Sequence, residues 1–168
     1  MKLRIFLFMI LAALVAAGIE AKPKPKWGKK FPDTKVVVQR VNKQGYVVKS
    51  WAIEGNADKA IKQARENVII QLLFFGAQPS PESRGAATLP AILDTDIYFE
   101  NFEMLDELFK NGRLLNFATP ISDIYPTGED NQKVSGGRRV GVEYTVNYEG
   151  LRDLMVKKGL VKTMDSVF

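Results

Sequence analysis

The sequence predicts an α+β domain: an antiparallel sheet of about four strands with helices packed on one face, in the order β-β-α-α-β-β-α. Three observations lead there. Two Val-rich runs flank a short turn at Asn42 to Gly45. Apolar residues at Ala57, Ala60, Ile61, Ala64, Val68 and Leu72 recur at helical spacing, and Arg138 to Asn147 sets Val140, Val142, Tyr144 and Val146 against Arg139, Gly141, Glu143 and Thr145. A period of two marks a strand with one buried face, and a period near 3.6 marks an amphipathic helix. Strands joined by short turns favour hairpins, and hence antiparallel pairing.

The first two strands, Thr34 to Val41 and Gly45 to Ile53, are rich in Val, Tyr and Trp, side chains that fit a pleated surface. Asn56 then stands as an N-cap for a helix of about 19 residues ending at Gly76. In its first half Lys59, Lys62, Gln63, Arg65 and Glu66 lie off the apolar stripe. Its second half, Val68 to Phe75, is apolar almost all round and must be covered on more than one side. Gly76 to Pro90, with Pro79, Pro81 and Gly85, reads as a long loop. Phe102, Leu105, Leu108 and Phe109 form a short helix that Gly112 ends. Phe117 to Tyr125 reads as a third strand, demoted by Pro120 to an edge or a bulge. Thr127 to Gly137 is polar and reads as a loop before the clearest strand, Arg138 to Asn147. Asn147 caps a final helix to about Lys158, with Leu151, Leu154 and Met155 on one side and Gly159 as its stop.

Residues 1–21 have the three regions of a secretory signal peptide: Lys2 and Arg4, an apolar stretch from Ile5 to Ala17, then small residues at Ala16, Ala17, Gly18 and Ala21. The apolar stretch is shorter than the roughly 20 residues a spanning helix needs, so cleavage is expected rather than anchoring, with no transmembrane span afterwards. The expected mature protein is periplasmic or extracellular. Residues 22–33 form a basic Lys/Pro linker, and residues 34–168 a single domain. The formal net charge is +5, and removal of Lys2, Arg4 and Glu20 leaves 22 basic against 18 acidic residues, net +4. Much of that excess is local to Lys22, Lys24, Lys26, Lys29 and Lys30, so the domain is close to neutral and nucleic acid is an unfavourable partner. These five lysines with Trp27 are the candidate binding residues, for an anionic envelope surface or an envelope protein.

The chain has neither His nor Cys. That excludes a thiol nucleophile, a Ser-His pair, a His-rich zinc site, disulfides and the acylated cysteine of a bacterial lipoprotein. No catalytic residue, metal ligand or cofactor is assigned. Asp94, Asp96 and Glu100 lack the pattern of a calcium loop and read as polar residues around a short strand. Glu103, Asp106 and Glu107 read as a solvated helix face. Ser135-Gly136-Gly137-Arg138-Arg139 lacks the strand-loop-helix context of a phosphate cradle and reads as a hairpin or loop leading into the last strand. Phe74, Phe75, Tyr98, Phe99, Phe102 and Phe109 are expected in the core.

The unit Trp51-Ala52-Ile53-Glu54-Gly55-Asn56-Ala57, a strand ending in Gly and followed by a helix with Ala57, Ala60 and Ala64, resembles the strand-to-alanine-rich-helix core of small bacterial envelope domains. The N-terminal domain of flagellar assembly protein T and related outer-membrane lipoproteins are of this kind. The resemblance runs from Val36 to Phe75. The tail from Val146, with Tyr148-Glu149-Gly150-Leu151-Arg152, is similar to exported Bacteroidetes proteins of uncharacterised function. The lipoproteins' acylated Cys and a place for the Gly76 to Pro90 loop are missing from the match. The resemblance implies a non-enzymatic, envelope-associated binding or assembly module. A small-ligand or glycan-binding periplasmic protein, using the loops at Gly76 to Pro90 and Thr127 to Gly137, is the alternative. A carboxylate-dependent hydrolase comes third, and it needs paired carboxylates with perturbed pKa values in one cleft.

Overall fold

The computed structural model describes residues 35–83 and 86–161. The expected signal peptide and basic linker lie outside the described residues. Strands β1 (Val36–Asn42) and β2 (Gly45–Glu54) form the antiparallel hairpin, with register shifted between Val38 and Arg40 by a bulge. The long strand β6 (Gly137–Val146) lies antiparallel to β2 along its whole length. Its outer edge is shared by two short antiparallel strands, β4 (Ala118–Pro120) and β5 (Asn131–Val134). On the far side β3 (Gln78–Pro79) runs parallel to β1.

The α+β class therefore holds, but the sheet is mixed and six-stranded, in the path β3-β1-β2-β6-β4 with β5 also on β6. Four antiparallel strands in the order β-β-α-α-β-β-α is a correction on three counts. The segment read as the loop Gly76 to Pro90 contributes β3 and a bridge between Ala77 and Leu89. The segment read as the loop Thr127 to Gly137 holds a 3-10 turn (Gly128–Asp130) and β5. The expected third strand shrinks to β4, entered from another 3-10 turn (Leu114–Phe117). Pro120 ends β4 at the sheet edge, where its missing N–H costs no ladder bond.

Helix α1 (Ala57–Phe74) starts as its sequence demands: Asn56 Oδ1 accepts the Lys59 N–H at 2.9 Å. It stops at Gly76, whose φ of +71° suits the left-handed cap and whose N–H reaches the Gln71 carbonyl at 2.8 Å. Two short helices follow, α2 (Thr95–Glu100) and α3 (Phe102–Lys110), so Asp94, Asp96 and Glu100 flank or belong to a helix rather than a strand. Helix α4 (Tyr148–Lys157) takes its N-cap from Asn147, whose Oδ1 accepts the Gly150 N–H at 2.9 Å.

The core takes Val36, Val38, Val48, Ala52, Val140, Tyr144 and Val146 from the sheet and packs them with Ala60, Ala64, Val68, Leu72 and Leu73 of α1, Leu105 and Leu108 of α3, and Leu151 and Met155 of α4. Register puts those sheet residues on one face. Burying an apolar side chain of this size is worth about 1.5–3 kcal/mol, so this layer contact dominates stability. Polar pins fix it: Tyr144 Oη donates to the Ile61 carbonyl at 3.0 Å, and Asn67 Nδ2 to the Trp51 carbonyl at 3.3 Å while its Oδ1 accepts from Gln63. Ser50 is fully buried on the same face, and its Oγ has no hydrogen-bond partner.

Phe74 and Tyr98 are buried, and Phe102 and Phe109 pack against the core, but Phe75 and Phe99 are 53% and 39% exposed. A uniformly apolar run has no phase of its own, and the helix end at Phe75 turns that ring outward. Asp106 is likewise not solvated: it is buried at 6% exposure and paired with Lys110 one turn on. Its carboxylate and the burial of the ring push the Tyr98 hydroxyl up to about 12, with burial the larger cause.

Candidate functional site

The six candidates Lys22, Lys24, Lys26, Trp27, Lys29 and Lys30 lie outside the described residues. Among the described residues no group of three or more carboxylates could hold a metal ion, and no helix is long and apolar enough to cross a membrane. Ser135 and Gly136 make the turn of the β5–β6 hairpin, with φ of +90° at Gly136 and +143° at Gly137.

A candidate surface that sequence reasoning missed is the second face of the sheet. Because side chains alternate, pairing Val48 with Tyr144 in the core puts Val47, Lys49, Trp51 and Ile53 of β2 on the opposite face, beside Thr145, Glu143, Gly141 and Arg139 of β6. Val37 and Val47 are buried there without belonging to the helix-covered core. The signal was present as a period of two in β2. Both of its phases contain apolar residues, however, so the pattern could not say which phase faces the helices.

Two features occupy this face, the open one in that the helix-packed core lies on the other. At one end the Trp51 indole lies across Gly141, its partner in the register. Lys49 Nζ stands 5.2 Å and Arg139 Cζ 5.6 Å from the indole ring centroid. Each such cation-aromatic contact is worth about 0.5–1 kcal/mol at an exposed site. Lys49 Nζ also sits 2.8 Å from both carboxylate oxygens of Asp130, which the 3-10 turn before β5 delivers. Next along the face Arg40 donates to Glu143 at 3.3 Å. The Arg40–Glu143 pair is exposed and solvent-screened, which holds it to about 1 kcal/mol or less, whereas the Lys49–Asp130 pair is part-buried.

At the hairpin end lies a trough of about 350 Å³ lined by Arg40, Asn42, Thr119 and Thr145 among others. No residue of the Gly76 to Pro90 or Thr127 to Gly137 segments lines it. Each of these segments contributes one short strand to the sheet, β3 and β5.

Among the described residues only one carboxyl group shows a clear departure: burial raises Glu66 on α1, Lys62 offsets part of this, and Glu54 adds to it. Glu54 and Glu66 influence one another, and neither lines the trough. Comparison with protein-family models, with curated proteins and with solved structures gives no match.

Proposed function

We propose that this chain is a non-enzymatic, exported binding or assembly module of the cell envelope that docks on an envelope protein through the open face of its sheet. The observation that carries the proposal is Trp51, half-buried on that face against Lys49 and Arg139. Interface hot spots are enriched in Trp, Tyr and Arg, whose large rings and planar cation bury much area at a contact. Ile53, 42% exposed beside them, extends the apolar part of the patch. Lys49 is matched by Asp130 and Arg40 by Glu143, whereas no ion pair to Arg139 is present among the described residues. An acidic side chain on the partner, laid against Arg139, completes the complementarity. The Trp51 to Ala57 unit that resembles envelope assembly domains lies in the same place.

A photo-crosslinking residue at position 53 in native cells is expected to trap a reproducible envelope protein, and Trp51→Ala to abolish the product. The same probe at Lys59, exposed on α1, should trap none. Equal labelling from both positions, or none from 53, would overturn the docking face. Export is tested separately by the mass of the mature N-terminus: a start near Lys22 supports it, and a retained Met1 refutes it. A second reading, a periplasmic small-ligand or glycan binder, draws on the trough at the hairpin end of the same face.

A further inference from the structure

We propose that this trough is a saccharide site for an N-acetylated sugar unit, which rests on the small-ligand reading of the open face and names its ligand.

The depth of the trough is a product of register. Across the open face one rung runs Arg40, Val47, Thr145, Thr119. In the next, Asn42 pairs with Gly45, whose missing Cβ lets the start of β2 lie against Val146 and Asn147. The two central strands thus offer little that rises above the sheet: Val47 is fully buried, Gly45 has no side chain, and of their residues Thr145 alone lines the trough. Arg40 and Asn42 rise on one side of them, and Phe117 and Ile121 on the other. Short residues between two walls make a trough without help from a long loop. Its volume of about 350 Å³ lies in the range of small-ligand sites and suits a single substituted sugar ring.

The chemistry of the walls is rich in unspent donors. Asn42 Oδ1 accepts the Gln44 N–H at 2.9 Å, and Asn147 Oδ1 accepts the Gly150 N–H at 2.9 Å. Both amides therefore spend their oxygen on the backbone and keep their NH₂ groups. Arg40 gives one N–H to Glu143 at 3.3 Å and has others left. Thr119 and Thr145 hydroxyls serve as donor or acceptor, which suits sugar hydroxyls, and Phe117 and Ile121 give apolar surface for the C–H face of a pyranose. Glu143 offsets the charge of Arg40, so a phosphate or carboxylate gains little over a neutral acceptor. An acetamido carbonyl is such an acceptor, and its methyl group suits the apolar wall.

The test is an amide NMR titration of the ¹⁵N-labelled mature protein with N-acetylglucosamine, glucose and glucuronate in parallel. N-acetylglucosamine is expected to shift the amides around Asn42, Thr119 and Thr145 saturably, with a Kd of about 1–10 mM. Glucose should bind more weakly, for want of the acetamido group. Thr145→Val and Arg40→Gln, both conservative in a strand, should keep the native spectrum and each weaken binding about fivefold. No saturable shift, shifts elsewhere, or glucose or glucuronate binding as tightly as N-acetylglucosamine would overturn the assignment, as would unchanged affinity in both variants. Failure here with crosslinking intact at position 53 removes the sugar site alone, and the reverse pattern removes the docking face alone.

Discussion

Gly141→Ala tests whether the Trp51 patch is built as described. A Cβ at Gly141 would stand 2.6 Å from both Trp51 Nε1 and Asp130 Oδ1, and 2.9 Å from Trp51 Cδ1. Ordinary contact begins near 3.4 Å, so the indole and the carboxylate must each retreat by about 0.8 Å. Gly141 is not among the glycines with positive φ, so the cost is one of space and not of backbone conformation. Overpacking of this kind costs about 1–3 kcal/mol, and replacing a strand glycine returns about 0.5–1, which leaves a net loss of about 1–2 kcal/mol. For a domain of this size that corresponds to a fall of about 3–8 °C in Tm. The assay is thermal and urea unfolding in a Trp27→Phe background, where Trp51 is the only indole of the two in the chain. Its emission should shift to longer wavelength as the ring lifts into water. Gly55→Ala is the control: nothing lies within 4 Å of its Cβ position, so stability should hold or rise by up to about 1 kcal/mol. If Gly141→Ala unfolds at the parent midpoint with unchanged emission, the indole does not lie across Gly141, and the docking patch loses its geometry.

Two further substitutions test the core and its charge. Ser50→Ala should raise stability by about 1 kcal/mol, because it removes a fully buried hydroxyl that has no hydrogen-bond partner; a loss of similar size in urea unfolding would mean that Oγ is satisfied after all. Glu66→Gln should be stabilising at neutral pH. Burial raises the Glu66 carboxyl, so the folded state holds its proton more tightly than the unfolded chain does. Its contribution is fully present below the ordinary carboxylate pKa and is lost as pH rises through the raised value. Glutamine stays neutral throughout, so the gap between variant and parent should close in acid. A gap that widens there reverses the sign and refutes the assignment.

The elements legible in the sequence are those specified by local chemistry. Asn56 and Asn147 announce their helices because each oxygen satisfies an N–H one turn ahead, and Gly76, Gly112 and Gly159 all adopt the positive φ that ends a helix. The turn at Asn42 to Gly45 needs only its own residues. The elements missed are those that exist by virtue of a partner. β3 has two residues and no period, and is a strand only because β1 lies beside it. β5 is polar but for Val134 and forms because β6 offers its edge after a two-residue turn. Helix α2 covers six residues, too few for a 3.6-residue repeat to show. Asp106 lies inside because Lys110 one turn on neutralises it, whereas a helical wheel of acids points the other way.

The trough was illegible for a sharper reason. Simple alternation along β1 sends Val36, Val38 and Arg40 to one face, and that face is the core. A guanidinium there would need a buried partner or cost several kcal/mol. The bulge between Val38 and Arg40 resolves the conflict: Val38 pairs with Val48, but Arg40 pairs with Val47, so the phase of the strand flips by one residue. Val41 then follows Val38 on the helix side, and Arg40 and Asn42 follow Val37 on the open side. One inserted residue thus takes a charge out of the core and raises it as the wall of the trough, within reach of Glu143 on a strand a hundred residues away. A site assembled in this way carries no local motif, because positions 40, 47, 119 and 145 meet only through the register of three strand pairings.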